Sequence, residues 1–209
     1  MVFGTHGAAI AAGVLSLSST ALASIVNGGF ESPNQGYVLF SSGQTVGNWT
    51  CVGSNVEYVH AVPTANLPGL EFSAYEGNYW IDLGGVGGPS GIYQDLVGLT
   101  AGQWYRVSFA QAGNVWGPNV QFTVQVSWNG SQAGSFTSVH GGNNGANMNW
   151  QERFVDVLAT EGTNRLQFFS PVVVSARGGA VDAVSIAPIP SPGVCALLSM
   201  FGLAARRRR

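Results

Sequence analysis

The sequence predicts an all-β fold, a jelly-roll β-sandwich. Two observations predict it. From Val120 to Trp128 apolar and polar residues alternate strictly, with Val120, Phe122, Val124, Val126 and Trp128 on one face and Gln121, Thr123, Gln125 and Ser127 on the other. That period of two is the signature of a half-buried strand and cannot sit on a helix. Elsewhere in residues 24–189 short apolar runs are punctuated by Gly, Asn and Pro, and none keeps a helical period over three turns. Aromatic residues at 11% are spread along the chain, so a core can form despite only 9% charged residues.

The elements follow in chain order. Residues 8–23 form an apolar stretch ending in Ala21-Leu22-Ala23. Small residues at both outer positions fit a signal peptide cleaved between Ala23 and Ser24. Strands are predicted over 25–31, 49–60, 78–84, 91–97 and 104–109. In the last of these Tyr105, Val107 and Phe109 point inward. The 120–128 strand ends at Asn129-Gly130, a type I′ hairpin signal. Three more strands are predicted over 151–159, 164–170 and 180–187, which makes about nine and suits a jelly roll. Pro188, Pro190 and Pro192 are expected to end any strand after Ile186.

The C-terminus has its own logic. Pro190-Ser191-Pro192-Gly193 precedes an apolar run over 194–205 and then Arg206, Arg207, Arg208 and Arg209. Twelve residues make ~18 Å of helix, shorter than the ~30 Å hydrocarbon core. A turn, a short apolar helix and a basic cluster make a stop-transfer device whose arginines stay cytoplasmic.

Composition excludes several classes. There is no lysine. Outside the terminal run only Arg106, Arg153, Arg165 and Arg177 stand against ten carboxylates. No basic footprint for a phosphate backbone exists, so nucleic acid is not a partner. Cys51 and Cys195 imply no disulfide framework, and Cys51 reads as a small buried apolar residue. His6, His60 and His140 sit in no nucleophile or zinc frame. Glycoside hydrolysis would need two carboxylates ~5–9.5 Å apart. Glu57, Glu71, Glu76, Asp82, Asp95 and Glu152 are the available ones.

A binding role is the better expectation, because sugar rings stack on aromatic planes while carboxylates and amides take hydroxyls. Tyr79, Ile81 and Leu83 share one face of their strand, which leaves Trp80 and Asp82 on the other. Asn114 and Trp116 lie in a turn-rich loop over 113–119. Each of these residues is either a ligand contact or a structural one: Trp80 covers a sheet face, or Trp116 plugs a sandwich end. Asp182 shares its strand face with Ala180, Val184 and Ile186. If that face is buried, its charge needs partners. Either backbone N–H groups supply them, or Asp182 and Glu31 share a hard cation.

One succession of motifs resembles a known family. Ile25-Val26-Asn27-Gly28-Gly29-Phe30-Glu31 comes first. Gly47-Asn48-Trp49-Thr50, Asn55-Val56-Glu57-Tyr58-Val59, Glu76-Gly77-Asn78 and Ile81-Asp82-Leu83 follow. Gly91-Ile92-Tyr93-Gln94, the run from Val107 to Asn114, and Asn147-Met148-Asn149-Trp150 come next, and Ala180 to Ile186 closes the series. Together they resemble the choice-of-anchor C family of bacterial surface proteins. That family is similar to an uncharacterised plant cell-wall family, and the resemblance implies a galactose-binding-like β-sandwich. The tail is similar to PEP-CTERM sorting signals, although it lacks their usual Glu. That likeness implies an exosortase-like processing enzyme and a transient membrane anchor.

The leader, the tail and the absence of a catalytic frame lead to the expectation of an exported, non-catalytic cell-surface or matrix protein. Its ligand would be an exopolysaccharide or cell-wall glycan, with Trp80, Asp82, Asn114 and Trp116 as contacts. The rival expectations are an adhesive protein without a sugar site and a glycan-cleaving enzyme. The resemblance also implies a structural calcium ion tying the first strand to the last through Glu31 and Asp182.

Overall fold

The computed structural model describes residues 24–61, 71–116, 120–138 and 144–190. The leader with Ala23, the loop with His140, and the tail residues Ser191, Pro192, Gly193 and Arg206 to Arg209 lie outside them. Among the described residues there are twelve strands and no helix. They are β1 (Val38–Ser41), β2 (Thr45–Val46), β3 (Trp49–Gly53), β4 (Asn55–His60), β5 (Tyr79–Asp82) and β6 (Ser90–Leu96). The remainder are β7 (Trp104–Gly113), β8 (Thr123–Trp128), β9 (Ser131–Thr137), β10 (Gln151–Leu158), β11 (Asn164–Ser170) and β12 (Gly179–Pro188).

Two six-stranded antiparallel sheets result. One has the order β1-β4-β5-β12-β7-β10 and the other β2-β3-β6-β11-β8-β9. Alternate residues fill the space between them, as the period of two requires. Tyr58, Ile81, Val107, Phe109 and Val181 come from the first sheet, and Trp49, Ile92, Val126 and Phe168 from the second. Phe168 lies at the centre, its ring 4.9 Å from Phe109 and 6.0 Å from Trp49. Cys51 is buried here as a free thiol, and burial holds it protonated by pushing its pKa up to about 12.

Three expectations need correction. Residues 25–31 do not form a strand. Asn27 and Phe30 take left-handed backbone angles (φ 55° and 57°), which break an extended run. The segment instead plugs the sandwich: Phe30 is fully buried, its carbonyl accepts from the Tyr58 hydroxyl at 2.9 Å, and the Asn27 carbonyl accepts from the Trp49 indole at 3.0 Å. Gly28 is required there, because a Cβ would fall 1.9 Å from the Val184 carbonyl oxygen.

The 49–60 run is two strands on opposite sheets, because Gly53 (φ 81°) turns the chain between β3 and β4. Finally, β12 continues past Ile186 to Pro188. Ile189 donates its N–H to the Trp104 carbonyl at 2.9 Å, so Pro188, opposite Tyr105, falls at a position whose N–H would point away from β7. Proline loses no ladder bond there.

Candidate functional site

The strand parity of β5 holds. Tyr79 and Ile81 enter the core, and Trp80 and Asp82 face out from the first sheet. That outer face is only partly open. Phe72, Met148 and Trp150 lie over Trp80, Val59, Ala112 and Ala180 as a second small core. Trp80 is fully buried beneath this roof, with its indole N–H donated to the Phe72 carbonyl at 3.1 Å and its ring 5.9 Å from Trp150. Trp80 is therefore not a stacking platform; it covers the sheet.

Beyond the roof, at the end of the sheet where β5 and β7 finish and β12 begins, the other three predicted residues meet. Asp82 is fully buried. One carboxylate oxygen accepts the N–H groups of Gly84 (2.8 Å) and Gly178 (2.9 Å), and the other accepts the Asn114 side-chain amide at 2.6 Å. Gly84 and Gly178 can both reach it because their backbones touch. A Cβ on either would lie within 2.7 Å of the other's backbone. The Asn114 side-chain oxygen in turn accepts the N–H of Trp116 at 2.9 Å. Asp82 and Asn114 are thus supports sealed inside the protein. Trp116 is half exposed, with its ring 6.1 Å from Phe72.

A cavity of about 450 Å³ opens beside Trp116, lined also by Tyr37, Glu57, Val86 and the turn from Val174 to Arg177. Glu57 lies directly opposite Asp82 in the β4–β5 ladder. Tyr37 hydrogen-bonds the Glu57 carboxyl. Burial raises the Glu57 pKa well above the ordinary carboxylate range, the neighbouring Asp82 charge raises it further, and the Tyr37 bond opposes both. Burial raises Asp82 as well, against the lowering effects of Asn114, the two glycine N–H groups and Arg177. The Asp82 charge opposes ionisation of Glu57 in this dry setting, which favours one charge over two. Only Glu57 of the pair lines the cavity.

The wall opposite is a tight turn. Val174 and Arg177 exchange backbone hydrogen bonds of 3.0 and 3.2 Å, and Ser175 (φ 52°) and Ala176 (φ 55°) are both left-handed. That is type I′ geometry built without its usual Asn-Gly. Chemically the cavity offers one aromatic plane, a carboxyl, a phenol and a guanidinium. Such a set has donors and acceptors for hydroxyl groups beside an apolar plane.

Tyr37, Glu57 and Arg177 were not singled out from the sequence as a ligand site. Strand parity could have found Glu57, because Val56 and Tyr58 face the core and leave Glu57 on the face of Asp82. Nothing marked Tyr37, which enters from a segment not predicted as structured.

The expected cation pair behaves differently. Asp182 accepts the N–H groups of Tyr75 (2.9 Å), Glu76 (3.1 Å) and Ala183 (2.7 Å), the last at the bulge in β12. Glu31 accepts those of Asn78 (2.8 Å) and Tyr79 (3.1 Å). Both carboxylates clamp the 75–79 segment through N–H donors, where a cation would need only oxygens. Among the described residues no three His, Cys, Asp or Glu side chains gather as a metal-holding group. Backbone N–H groups thus satisfy both carboxylates, the alternative to a shared cation that the sequence left open.

Of the other acids, Asp95 is paired with Arg165 on the second sheet, and Glu152 accepts from the Tyr75 hydroxyl. His60 packs its ring 4.5 Å from Tyr79.

No known family's sequence profile matches the chain, and no curated protein matches it. Among solved structures it is similar to TmCBM61 in complex with β-1,4-galactotriose, at 17% identity and a TM-score of 0.45 over 79% of this chain and 97% of that one. It is similar to the CBM22-1 xylan-binding domain from Paenibacillus barcinonensis Xyn10C, at 12% identity and a TM-score of 0.45 over 74% and 94%. It is also similar to a family 35 carbohydrate binding module from Clostridium thermocellum, at 16% identity and a TM-score of 0.37 over 72% and 90%.

Proposed function

We propose that this chain is an exported, non-catalytic surface or matrix protein that binds carbohydrate in the cavity between Trp116 and Tyr37. Trp116 carries the assignment. Its indole is half exposed, yet its backbone is fixed through Asn114 to the buried Asp82. A large aromatic plane held in place beside a cavity loses little entropy when a sugar ring stacks on it. Glu57 and Tyr37 then meet the ring hydroxyls, Glu57 as acceptor or, when protonated, as donor.

Binding is favoured over cleavage by the same geometry. Acid–base hydrolysis needs two carboxyls that reach the bond. Here Asp82 is sealed behind Glu57, its oxygens held by Asn114 and two backbone N–H groups.

Export rests on the apolar stretch before Ala23 and Ser24 and on the Pro190-Ser191-Pro192-Gly193 tail with its terminal arginines. An exosortase-like enzyme is the processing partner, and the membrane holds the tail before processing.

A glycan array probed with the recombinant protein tests the ligand. Binding to a glycan class that Trp116→Ala abolishes is the expected result. Silence across the array would overturn carbohydrate binding and leave an adhesive protein.

A further inference from the structure

We propose a second carbohydrate site on the same sheet face: a trough over β7, β10 and β12 that takes a neutral polysaccharide strand. It shares no residue with the Trp116 cavity. It has a volume of about 460 Å³, with Tyr75 and Phe154 at its sides and Ser108, Ala110 and Ala183 beneath.

Two exposed aromatic side chains flank it, Tyr75 at 41% and Phe154 at 53%. Each is braced by neighbouring side chains. The Tyr75 backbone N–H is bound by Asp182 at 2.9 Å, and its hydroxyl donates to Glu152. Its ring meets Trp150 edge-on at 6.4 Å, and Trp150 is itself fixed by a 2.9 Å bond to the Ser73 carbonyl. Phe154 has the Arg106 guanidinium 4.0 Å from its ring centre, and Asp156 locks that guanidinium with bonds of 2.8 and 2.9 Å. Exposed apolar surface that is also braced is preorganised for a flat apolar partner.

The floor is built for close approach. Ser108 and Ala110 stand opposite Phe154 and Glu152 across the β7–β10 ladder. Asp182, opposite Ala110, opens the bulge that brings Ala183 into the floor. Small side chains let a pyranose ring settle between the two aromatics, where its C–H faces stack and its hydroxyls reach Glu152.

Charge selects the class. Arg106 is neutralised by Asp156, and the Arg153 guanidinium lies by Phe136 of the other sheet. Glu152 and Arg153 both line the trough and leave it without net charge, which suits a neutral chain. In the strand order the trough begins two to three strands from Glu57, a lateral step of roughly 10–14 Å at a ~4.8 Å spacing, and it is offset along β7, where Ala112 rather than Ala110 or Ser108 shares the row of Glu57.

Affinity electrophoresis of the full protein, Phe154→Ala, Trp116→Ala and the double variant tests this. The gels carry xylan, β-1,4-galactan or laminarin, with polygalacturonate as the acidic polymer. A neutral polymer should retard the wild type, and Phe154→Ala should weaken that about tenfold at an unchanged unfolding temperature. The double variant should be weaker than either single one. If Phe154→Ala migrates as wild type while Trp116→Ala is released, the trough proposal is wrong and the cavity reading stands. If only Phe154→Ala is released, the trough stands and the cavity reading falls. Retardation by polygalacturonate alone, or by no polymer, overturns the trough as a neutral-glycan site.

Discussion

Glu57 and Asp82 face each other across the β4–β5 ladder, and both are almost sealed from solvent. Each carboxyl holds its proton more tightly in the folded protein than in the unfolded chain, through burial first and mutual repulsion second for Glu57. Asp182 is raised to about 7 by burial, against three backbone N–H bonds. The folded state therefore binds more protons than the unfolded one between about pH 4, where free carboxyls titrate, and the neutral range.

The sign of the pH effect follows. This stabilisation is complete below the unfolded pKa and is lost as pH rises through the folded one. The wild type should melt at a higher temperature at pH 5.5 than at pH 8. Glu57→Gln keeps an acceptor for Tyr37 without the charge, so it should flatten the profile and melt higher than wild type at pH 8. A wild type that melts higher at pH 8 than at pH 5.5 would contradict the raised carboxyl pKa values.

Trp80 and Trp116 should separate cleanly. Trp80 is fully buried with its indole N–H satisfied, so Trp80→Ala leaves a cavity under the roof and should cost about 3–5 kcal/mol in urea unfolding. Trp116→Ala removes a half-exposed ring and should cost under about 1 kcal/mol. Equal losses in both would mean that Trp116 is a structural plug.

These two tryptophans show where sequence reading stops. The alternation in 79–83 correctly put Trp80 and Asp82 on the outer face. Whether an outward residue meets solvent depends on what the chain lays over it, and Phe72 and Trp150 come from segments without periodicity. The same holds for the cavity. Tyr37, Glu57, Trp116 and Arg177 are distant in sequence, and only the strand order gathers them. The Asn129-Gly130 hairpin was legible because turn chemistry is local. It joins β8 to β9, but β9 itself, with Ser, Gln and Gly in four of its seven positions, carried little apolar signal. The strand predicted over 25–31 failed because alternation does not report a positive φ at Asn27 and Phe30.

The turn from Val174 to Arg177 stores strain that substitution can release. Ser175 and Ala176 both hold positive φ, where an L-residue pays roughly 1–2 kcal/mol. Ser175→Asn with Ala176→Gly supplies the residues that this turn prefers. The double variant should be more stable by about 1 kcal/mol in urea unfolding, since glycine returns part of the gain as chain entropy. A loss of stability would show that these side chains make contacts that outweigh the strain.

The C-terminal limit of the folded unit is set by β12. Its last ladder contacts run beyond Ile186, with Ala187 opposite Arg106 and Pro188 opposite Tyr105. Ile189 then closes the strand: its N–H donates to the Trp104 carbonyl at 2.9 Å, and its carbonyl accepts from the Gln103 side chain at 2.6 Å. A chain ending at Pro190 keeps all of these, so it should unfold with the same midpoint and cooperativity as the full-length protein. A chain ending at Ile186 loses the pairing of three residues and exposes Tyr105 and Trp104 further. At about 1 kcal/mol for each hydrogen bond lost, it should be less stable by roughly 2–3 kcal/mol. Circular dichroism melts of the two truncations decide the matter. If the Pro190 truncation fails to unfold cooperatively, residues beyond 190 belong to the fold and the tail is not a separable address.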